Sequence, residues 1–185
     1  MANKIGRIIL WIVVIVGLAV VIYMVLPGKV KNPLTAKIQQ TIDGPTYNAI
    51  VDPIKNTTMP KNKKVTYDAA MKASTEDSAW TIEKVAVDDA GNGAYTVYCD
   101  GYNFTMSFES DENDDSMITQ TNAHIRLIFN VTKNGSSITI DSKEVEPGKK
   151  CYASEVCVNE YHYSPQDKSN TYYQKCINTL AEAAK

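Results

Sequence analysis

Residues 95–108, YTVYCDGYNFTMSF, contain the strongest strand pattern in this 185-residue chain. Tyr95, Val97 and Cys99 fall on one side of an extended backbone, because successive side chains of a strand point to opposite faces. The second half alternates in the same way, with an inward set of Tyr102, Phe104, Met106 and Phe108. Asp100-Gly101 separates the two halves and favours a two-residue hairpin turn, which requires positive φ. The stretch therefore predicts two strands joined by a hairpin.

Three further strands are predicted around this hairpin. Residues 80–87 precede it, and residues 117–132 follow it after the acidic stretch ESDENDDS. Asn134-Gly135 is a second hairpin signal and leads into the strand 138–145. The long strand 117–132 directs its odd-numbered apolar side chains to the core, namely Ala123, Ile125, Leu127, Phe129 and Val131. Five strands joined by short turns predict an antiparallel meander with one solvated face.

Helical patterns flank the predicted sheet. Leu34, Ile38 and Ile42 have the spacing of a short amphipathic helix that ends at Gly44-Pro45, and residues 66–77 contain good helix formers. Residues 169–185 form the last predicted helix, and residues 45–66, with three prolines, are expected to be mostly irregular. The fold class is therefore predicted as α+β, with a five-stranded antiparallel meander packed against short helices.

The N-terminal segment has the composition of a membrane anchor. No charged residue occurs between Ile8 and Leu26, and a helix of this length matches the ~30 Å hydrocarbon core of a bilayer. A secretory signal peptide has a shorter apolar core and a small-x-small cleavage site, which is absent here. Basic residues flank the run on both sides, so the orientation is inferred from the short N-terminal head, which favours a signal-anchor. The predicted organisation is a cytoplasmic head 1–7, a transmembrane helix 8–26, a juxtamembrane helix and linker 27–66, and an extracytoplasmic α+β domain 67–185.

The four cysteines predict disulfides if the domain lies in an oxidising compartment. Cys99, Cys151, Cys157 and Cys176 allow three pairings, of which Cys157–Cys176 with Cys99–Cys151 is preferred because it would restrain the C-terminal segment. A zinc site is the competing interpretation, but zinc ligands usually come in closer cysteine pairs than Cys151-x5-Cys157.

No motif in the sequence indicates catalysis. His124 is expected on the polar face of a strand, where nothing in the sequence places a carboxylate or nucleophile beside it, and His162 is similarly unremarkable. Asp111, Asn113 and Asp115 match the first ligand positions of a calcium loop, but Ser116 replaces the required glycine, so a solvated hairpin tip is favoured. Beyond residue 33 the chain carries 15 Lys and Arg against 21 Asp and Glu, which argues against nucleic-acid binding. We therefore expect a protein that is not an enzyme and has no cofactor or metal.

Tyrosine is abundant, with eleven in the chain, and tyrosines are common at protein interfaces. The interface candidates cluster near the C-terminus, at Tyr152, Tyr161, Tyr163, Tyr172 and Tyr173. The expected partners are the lipid bilayer, through residues 8–26, and other membrane or surface proteins, including a second copy of the chain. Two functions follow: a non-enzymatic, membrane-anchored subunit that assembles a complex, and, as the alternative, a tethered domain that binds a peptide, a glycan or a small amphiphile.

Overall fold

The computed structural model describes residues 2–111, 114–146, 148–166 and 170–184. The chain forms two compact units, Met1–Lys31 and Asn32–Lys185. The elements follow in the order α1 (Ala2–Val25), α2 (Gly28–Ile42), α3 (Gly44–Lys55), β1 (Thr58–Met59), β2 (Asn62–Thr66), α4 (Tyr67–Ser74), β3 (Glu76–Val87), β4 (Gly93–Asp111), β5 (Asp114–Asn134), β6 (Ser137–Ile140), β7 (Lys143–Glu146), β8 (Lys149–Cys151), β9 (Glu155–Val158), β10 (Tyr161–Tyr163) and α5 (Asn170–Ala183). The protein is of mixed α and β structure with antiparallel sheets, which confirms the predicted class.

The first unit consists mainly of the apolar helix α1. Its segment Ile8–Val25 has a mean hydropathy of 3.1 and none of it is buried within the protein. Such a helix is long and apolar enough to cross a bilayer. It ends where Pro27 removes a backbone donor and Gly28 begins the next helix.

The expected irregular connection over residues 45–66 is wrong, because it contains a helix that belongs to the core. Asp43 caps α3 by accepting a hydrogen bond from the Thr46 backbone nitrogen at 3.3 Å, and Pro45 occupies the first turn, where its missing donor costs nothing. The buried residues of α3 follow helical spacing: Tyr47, Ile50, Val51 and Ile54. Gly44-Pro45 therefore starts a helix as well as ending the preceding one.

The main sheet is not the predicted meander. Its strand order is β10-β9-β5-β4-β3, all antiparallel, and β6 pairs with the end of β5. The predicted last strand, 138–145, divides between β6 and β7, of which β7 pairs with β8 in a separate two-stranded sheet. The C-terminal β9, which was not among the predicted strands, pairs directly with β5.

The predicted hairpin at Asp100-Gly101 is also wrong, because both residues lie inside the continuous strand β4. Asp100 pairs with Arg126 and Gly101 with Ile125 of β5. Just beyond, the register shifts by one residue on β4, near Asn103 (φ 57°), and is restored by one extra residue on β5, near Asn122 (φ 55°). These two bulges compensate each other, so the core-facing alternation resumes without a turn.

One face of the sheet forms the core with α3, α4 and α5. All five predicted core residues of β5 are buried, and so are Tyr95, Val97, Cys99, Phe104 and Met106 of β4. Phe129 is central, with Tyr67 of α4 packed edge-on at 5.1 Å between ring centroids and Trp80 of β3 at 5.8 Å. Phe108, which was predicted to point inward, and the acidic stretch 109–116 lie outside the described side chains. The opposite side of the sheet is called the outer face below.

Candidate functional site

The outer face is built by alternation along β4 and β5. Cys99 and Leu127 point into the core, so their neighbours Asp100 and Arg126 point outward, where they lie opposite each other in register. Although it is on the outer face, the Asp100 side chain is 0% exposed, whereas that of Arg126 is 35% exposed. A buried carboxylate therefore lies beneath a partly exposed guanidinium.

Asp100 holds two neighbouring side chains in place. Its Oδ1 lies 2.7 Å from Nε of Arg126 and 2.6 Å from Nε2 of His124, and its Oδ2 accepts from a terminal nitrogen of Arg126 at 3.2 Å. Two-point contact between a carboxylate and a guanidinium is the strong geometry for this pair. Burial disfavours the cation, but the hydrogen bond and charge of Asp100 outweigh that effect and raise the pKa of Arg126. The buried carboxylate of Asp100 thus restrains the side chains of Arg126 and His124.

Aromatic rings enclose these two side chains. The guanidinium of Arg126 lies 5.0 Å from the centroid of the Tyr98 ring, and the imidazole of His124 stacks on Tyr102 at 4.7 Å. Tyr98 donates to Glu83 at 2.6 Å, and Tyr102 accepts from Asn32 of α2 at 2.9 Å. The pKa of each tyrosine is raised to about 12, chiefly by burial. Tyr102 was predicted to face the core; the bulge after Gly101 places it against His124 instead.

The outer face thus has a platform of four side chains above Asp100, namely Tyr98, Tyr102, His124 and Arg126. A second group of polar side chains lies next to this platform. Cys157 of β9 pairs in register with Arg126 on one side and with His162 of β10 on the other. The Cys157 sulfur lies 3.3 Å from Nδ1 of His162 and 3.7 Å from the Glu155 carboxylate, which also contacts Nδ1. Glu155, Cys157 and His162 are called the edge cluster.

The edge cluster does not have the arrangement of a nucleophilic catalytic site. Burial, followed by the charge of Glu155 and its hydrogen bond, raises the pKa of Cys157 to about 12, so the sulfur is a protonated thiol at neutral pH. Both Cys157 and Glu155 contact the same imidazole nitrogen, Nδ1 of His162. A Cys-His-acid triad instead requires the thiol and the acid to engage different ring nitrogens.

All four cysteines are buried free thiols, so the predicted disulfides are not confirmed. The preferred pair Cys157–Cys176 is opposed by geometry: Cys157 lies on the outer face, whereas the Cys176 sulfur lies in the core, 3.7 Å from that of Met106. The Cys151 sulfur contacts the hydroxyls of Tyr67 at 3.2 Å and Tyr173 at 2.7 Å. Burial raises the pKa of Cys99, Cys151 and Cys176. The four-cysteine zinc site is equally unsupported, since the sulfurs do not share one side of the sheet.

The predicted tyrosine interface separates into core and surface residues. Tyr173 is 0% exposed and donates to the Ala153 carbonyl at 2.5 Å, so it is a core residue. Tyr163 and Tyr172 stack at 5.4 Å and are half-buried, and Tyr161 is 62% exposed. Tyr152 is half-buried against the core. The burial of Tyr173 therefore removes it from a surface interface, and the other four tyrosines come from β10, α5 and the loop after β8.

A third feature is an open, basic groove of about 850 Å³ between the β1–β2 and β7–β8 hairpins. Its rim carries Lys61, Lys63, Lys149 and Lys150, all exposed, and its lining includes Met59, Pro60 and Tyr152. It is called the lysine groove below. The basic sequence KNKK at 61–64 supplies Lys61 and Lys63, but the contribution of β8 depends on tertiary structure.

Comparison with known proteins adds no assignment: the chain matches no protein-family model, and no curated protein or solved structure shows significant similarity to it. Sequence reasoning placed His124 on the polar face of its strand but missed Asp100, because Asp-Gly was assigned to a turn. It also missed the edge cluster, for which the spacing Glu155-x-Cys157-x4-His162 is the available signal.

Proposed function

We propose that this protein is a non-enzymatic, single-pass membrane-anchored subunit whose C-terminal domain binds another protein chain through the outer face of its sheet. Residues 8–26 would span the bilayer, with residues 1–7 in the cytoplasm and the α+β domain outside it. The partner would be another membrane or surface protein, or a second copy of this chain.

The observation that carries the proposal is the ordered platform of Tyr98, Tyr102, His124 and Arg126 above the buried Asp100. Arginine and tyrosine are enriched among the residues that dominate binding energy at interfaces. Side chains that are already fixed lose little conformational entropy when a partner binds. Asp100 accepts from two nitrogens of Arg126, which has five N–H donors in all. The remaining donors suit a carboxylate or backbone carbonyl of a partner, and the rings suit a flat or apolar group.

The proposed orientation is tested by thiol labelling in intact cells. The four native thiols are buried, so a cysteine introduced at the exposed turn residue Ser136 is the reactive one. We expect a membrane-impermeant maleimide to label Ser136→Cys and not Ala2→Cys. Labelling of Ala2→Cys alone would place the domain in the cytoplasm and overturn the orientation. This test comes first, because the orientation is inferred from the short N-terminal head alone.

The proposed interface is tested by site-specific photocrosslinking of the full chain in its native membrane. A photoreactive residue at Asn130, which is exposed on the outer face, should give one discrete adduct. The matched control is the same residue at Asn48, exposed on α3. Arg126→Gln should abolish the Asn130 adduct, and the adduct mass distinguishes a second copy from a different protein. Equal adducts at both positions, or an adduct insensitive to Arg126→Gln, would contradict the proposal.

The lysine groove supports a second candidate function, a tethered domain that binds an anionic peptide or glycan. Four lysines on one open groove raise the local concentration of anions, and Tyr152 offers a stacking surface. Titration with polyglutamate and with a sulfated glycan should show binding that Lys149→Glu/Lys150→Glu weakens strongly. Lys84→Glu, an exposed substitution on β3, is the control and is compared with Lys149→Glu alone, which changes the net charge by the same amount. If Lys84→Glu weakens binding as much as Lys149→Glu, the attraction is non-specific.

A further inference from the structure

The edge cluster brings together three different metal-ligating groups. The thiol of Cys157, the imidazole of His162 and the carboxylate of Glu155 have ligand atoms that all lie within 4.8 Å of one another. Zinc bonds to sulfur are about 2.3 Å long and those to nitrogen or oxygen about 2.0–2.2 Å, so two ligands of one tetrahedral ion lie roughly 3.5 Å apart. The observed separations from the Cys157 sulfur, 3.3 Å to His162 and 3.7 Å to Glu155, bracket that value. The third pair, Nδ1 of His162 and the Glu155 carboxylate, is in direct contact, so a rotation of the exposed His162 or Glu155 side chain must separate these two atoms when an ion binds.

Backbone pairing places these ligands together. β9 and β10 are antiparallel neighbours, and Cys157 lies directly opposite His162. Side chains at directly paired positions share a face with their Cβ atoms about 5 Å apart. Glu155 precedes Cys157 by two residues and therefore lies on the same face. The strand β9 is itself fixed by pairing with β5, where Cys157 opposes Arg126. The three donors are thus positioned by the sheet before any ion binds.

We propose that Glu155, Cys157 and His162 form a binding site for a divalent transition-metal ion, with Zn²⁺ as the preferred ion and a fourth coordination position open to solvent. One thiolate, one imidazole and one carboxylate match the ligand types of zinc, whereas magnesium and calcium take oxygen ligands. Binding breaks the S–H bond of Cys157, forms a sulfur–metal bond and releases the proton to solvent. The ion has access, because the His162 side chain is 66% exposed and that of Glu155 33%.

Such an ion would act as a clip on the β9–β10 hairpin at the edge of the sheet. It would join two strands that are otherwise held by pairing over only three residues, Tyr161–Tyr163. Because the strand pairing that brings the ligands together exists only in the folded state, binding adds to the stability of the protein. The open position would face the same side of the sheet as Arg126.

The direct test is spectroscopic titration of the full chain in detergent, reduced and freed of metal, with Co²⁺ as the probe. We expect a thiolate-to-cobalt charge-transfer band, its displacement by Zn²⁺, and no displacement by excess Mg²⁺ or Ca²⁺. Cys157→Ser should abolish the band. Calorimetric titration with Zn²⁺ should show that His162→Gln and Glu155→Gln each weaken binding by more than about 100-fold, since even outer-shell changes cost 10–100-fold. Bound Zn²⁺ should also raise the melting temperature of the parent and leave that of Cys157→Ser unchanged.

Glu160→Gln, an exposed change in the β9–β10 turn, is the matched control and should bind Zn²⁺ as the parent does. Circular dichroism checks that each variant folds, and His162 is exposed enough for its substitution to leave the core intact. A folded parent with no cobalt band, a band that persists in Cys157→Ser, or equal zinc affinity in His162→Gln would each overturn the site. These outcomes do not depend on the crosslinking result at Asn130, so the two proposals fail separately.

Discussion

Replacing Asp100 with asparagine should destabilise the domain, because it removes the negative charge that holds Arg126 and His124 on the outer face. The asparagine side chain is nearly isosteric with that of aspartate, so the change leaves packing almost intact while altering the electrostatics. The carboxylate of Asp100 accepts three contacts, one from His124 and two from Arg126. An asparagine amide keeps one acceptor oxygen and directs N–H donors toward donors of Arg126. Arg126 would then be a half-buried cation without its counter-ion.

The expected loss is about 2 kcal/mol. Breaking a fully buried ion pair by removing one partner costs about 3–5 kcal/mol. Here His124 and Arg126 are 32% and 35% exposed, so water compensates part of the loss and the cost falls toward that of a buried hydrogen bond to a charged group. For a domain of this size, about 2 kcal/mol corresponds to a decrease of about 4–8 °C in melting temperature.

Tryptophan fluorescence during denaturant unfolding is the suitable assay. The chain has two tryptophans, and a Trp11→Phe background leaves Trp80, which packs on Phe129 in the core, as the reporter. Asp89→Asn in the exposed turn before β4 is the control and should change stability by less than about 0.5 kcal/mol. A double-mutant cycle with Arg126→Gln should give a coupling energy of about 1–2 kcal/mol. Unchanged stability of Asp100→Asn, or a coupling energy near zero, would refute this account of the outer face.

Three further predictions concern the core and the sheet edge. Burial raises the pKa of Cys176 from 9.0 to about 12, so its stabilising contribution is complete below pH 9 and lost as the pH rises. Between about pH 9 and 10 the free energy of unfolding of the parent should therefore fall by about 1 kcal/mol more than that of Cys176→Ala, measured by denaturant unfolding at each pH. Parallel pH dependences of the two proteins would contradict this. In Gly101→Ala the new Cβ would lie 2.5–2.8 Å from three side-chain atoms of Thr75, so unfolding free energy should fall by about 1–3 kcal/mol, and Thr75→Gly should restore part of it. The Gln39 amide bonds both backbone groups of Ile82 on edge strand β3, at 2.7 and 3.0 Å; Gln39→Ala should cost about 1–2 kcal/mol and increase self-association by light scattering, whereas exposed Gln40→Ala should do neither.

The sequence was most informative where one local periodicity agreed with the tertiary structure. The alternation over Ala123, Ile125, Leu127, Phe129 and Val131 predicted the core face of β5, and all five are buried. The register of a central strand is fixed because one of its faces is buried, so apolar and polar side chains alternate along its length. The apolar N-terminal helix and the C-terminal helix were equally readable, because their length and spacing are local properties.

Prolines explain why α3 was not predicted. Pro45 lies in the first turn of the helix, where proline does little harm, and Pro53 lies inside the helix near its end, but the count of prolines over residues 45–66 suggested an irregular chain. The cap at Asp43 and the spacing of Tyr47, Ile50 and Ile54 contained the correct signal. Position within a helix decides the effect of proline, and composition alone does not reveal position.

The strand β9 was unpredictable for a different reason. It has only four residues, Glu155–Val158, and it becomes a strand because β5 offers it a partner more than 25 residues away in sequence. Short segments take their structure from such long-range pairing more than from intrinsic preference. The edge cluster depends on that pairing, so neither its existence nor the separation of Cys157 from the core cysteines follows from cysteine spacing.

The misassigned Asp-Gly pair shows how the same residue type serves opposite roles. In a hairpin, Asp100 would lie at a solvated tip and its carboxylate would organise nothing beyond the turn. Within a continuous strand it is opposite Arg126, and His124 lies two residues from Arg126 along β5, 24 residues from Asp100 in sequence. The charge of Asp100 must therefore be neutralised by contacts across the sheet. Gly101 is then needed because Thr75 occupies the space of a side chain, and not because the backbone turns. Because β4 and β5 pair over this whole length, Asp100 lies at the centre of the outer face and not in a turn. A partner that binds Arg126 would therefore depend on Asp100 without touching it.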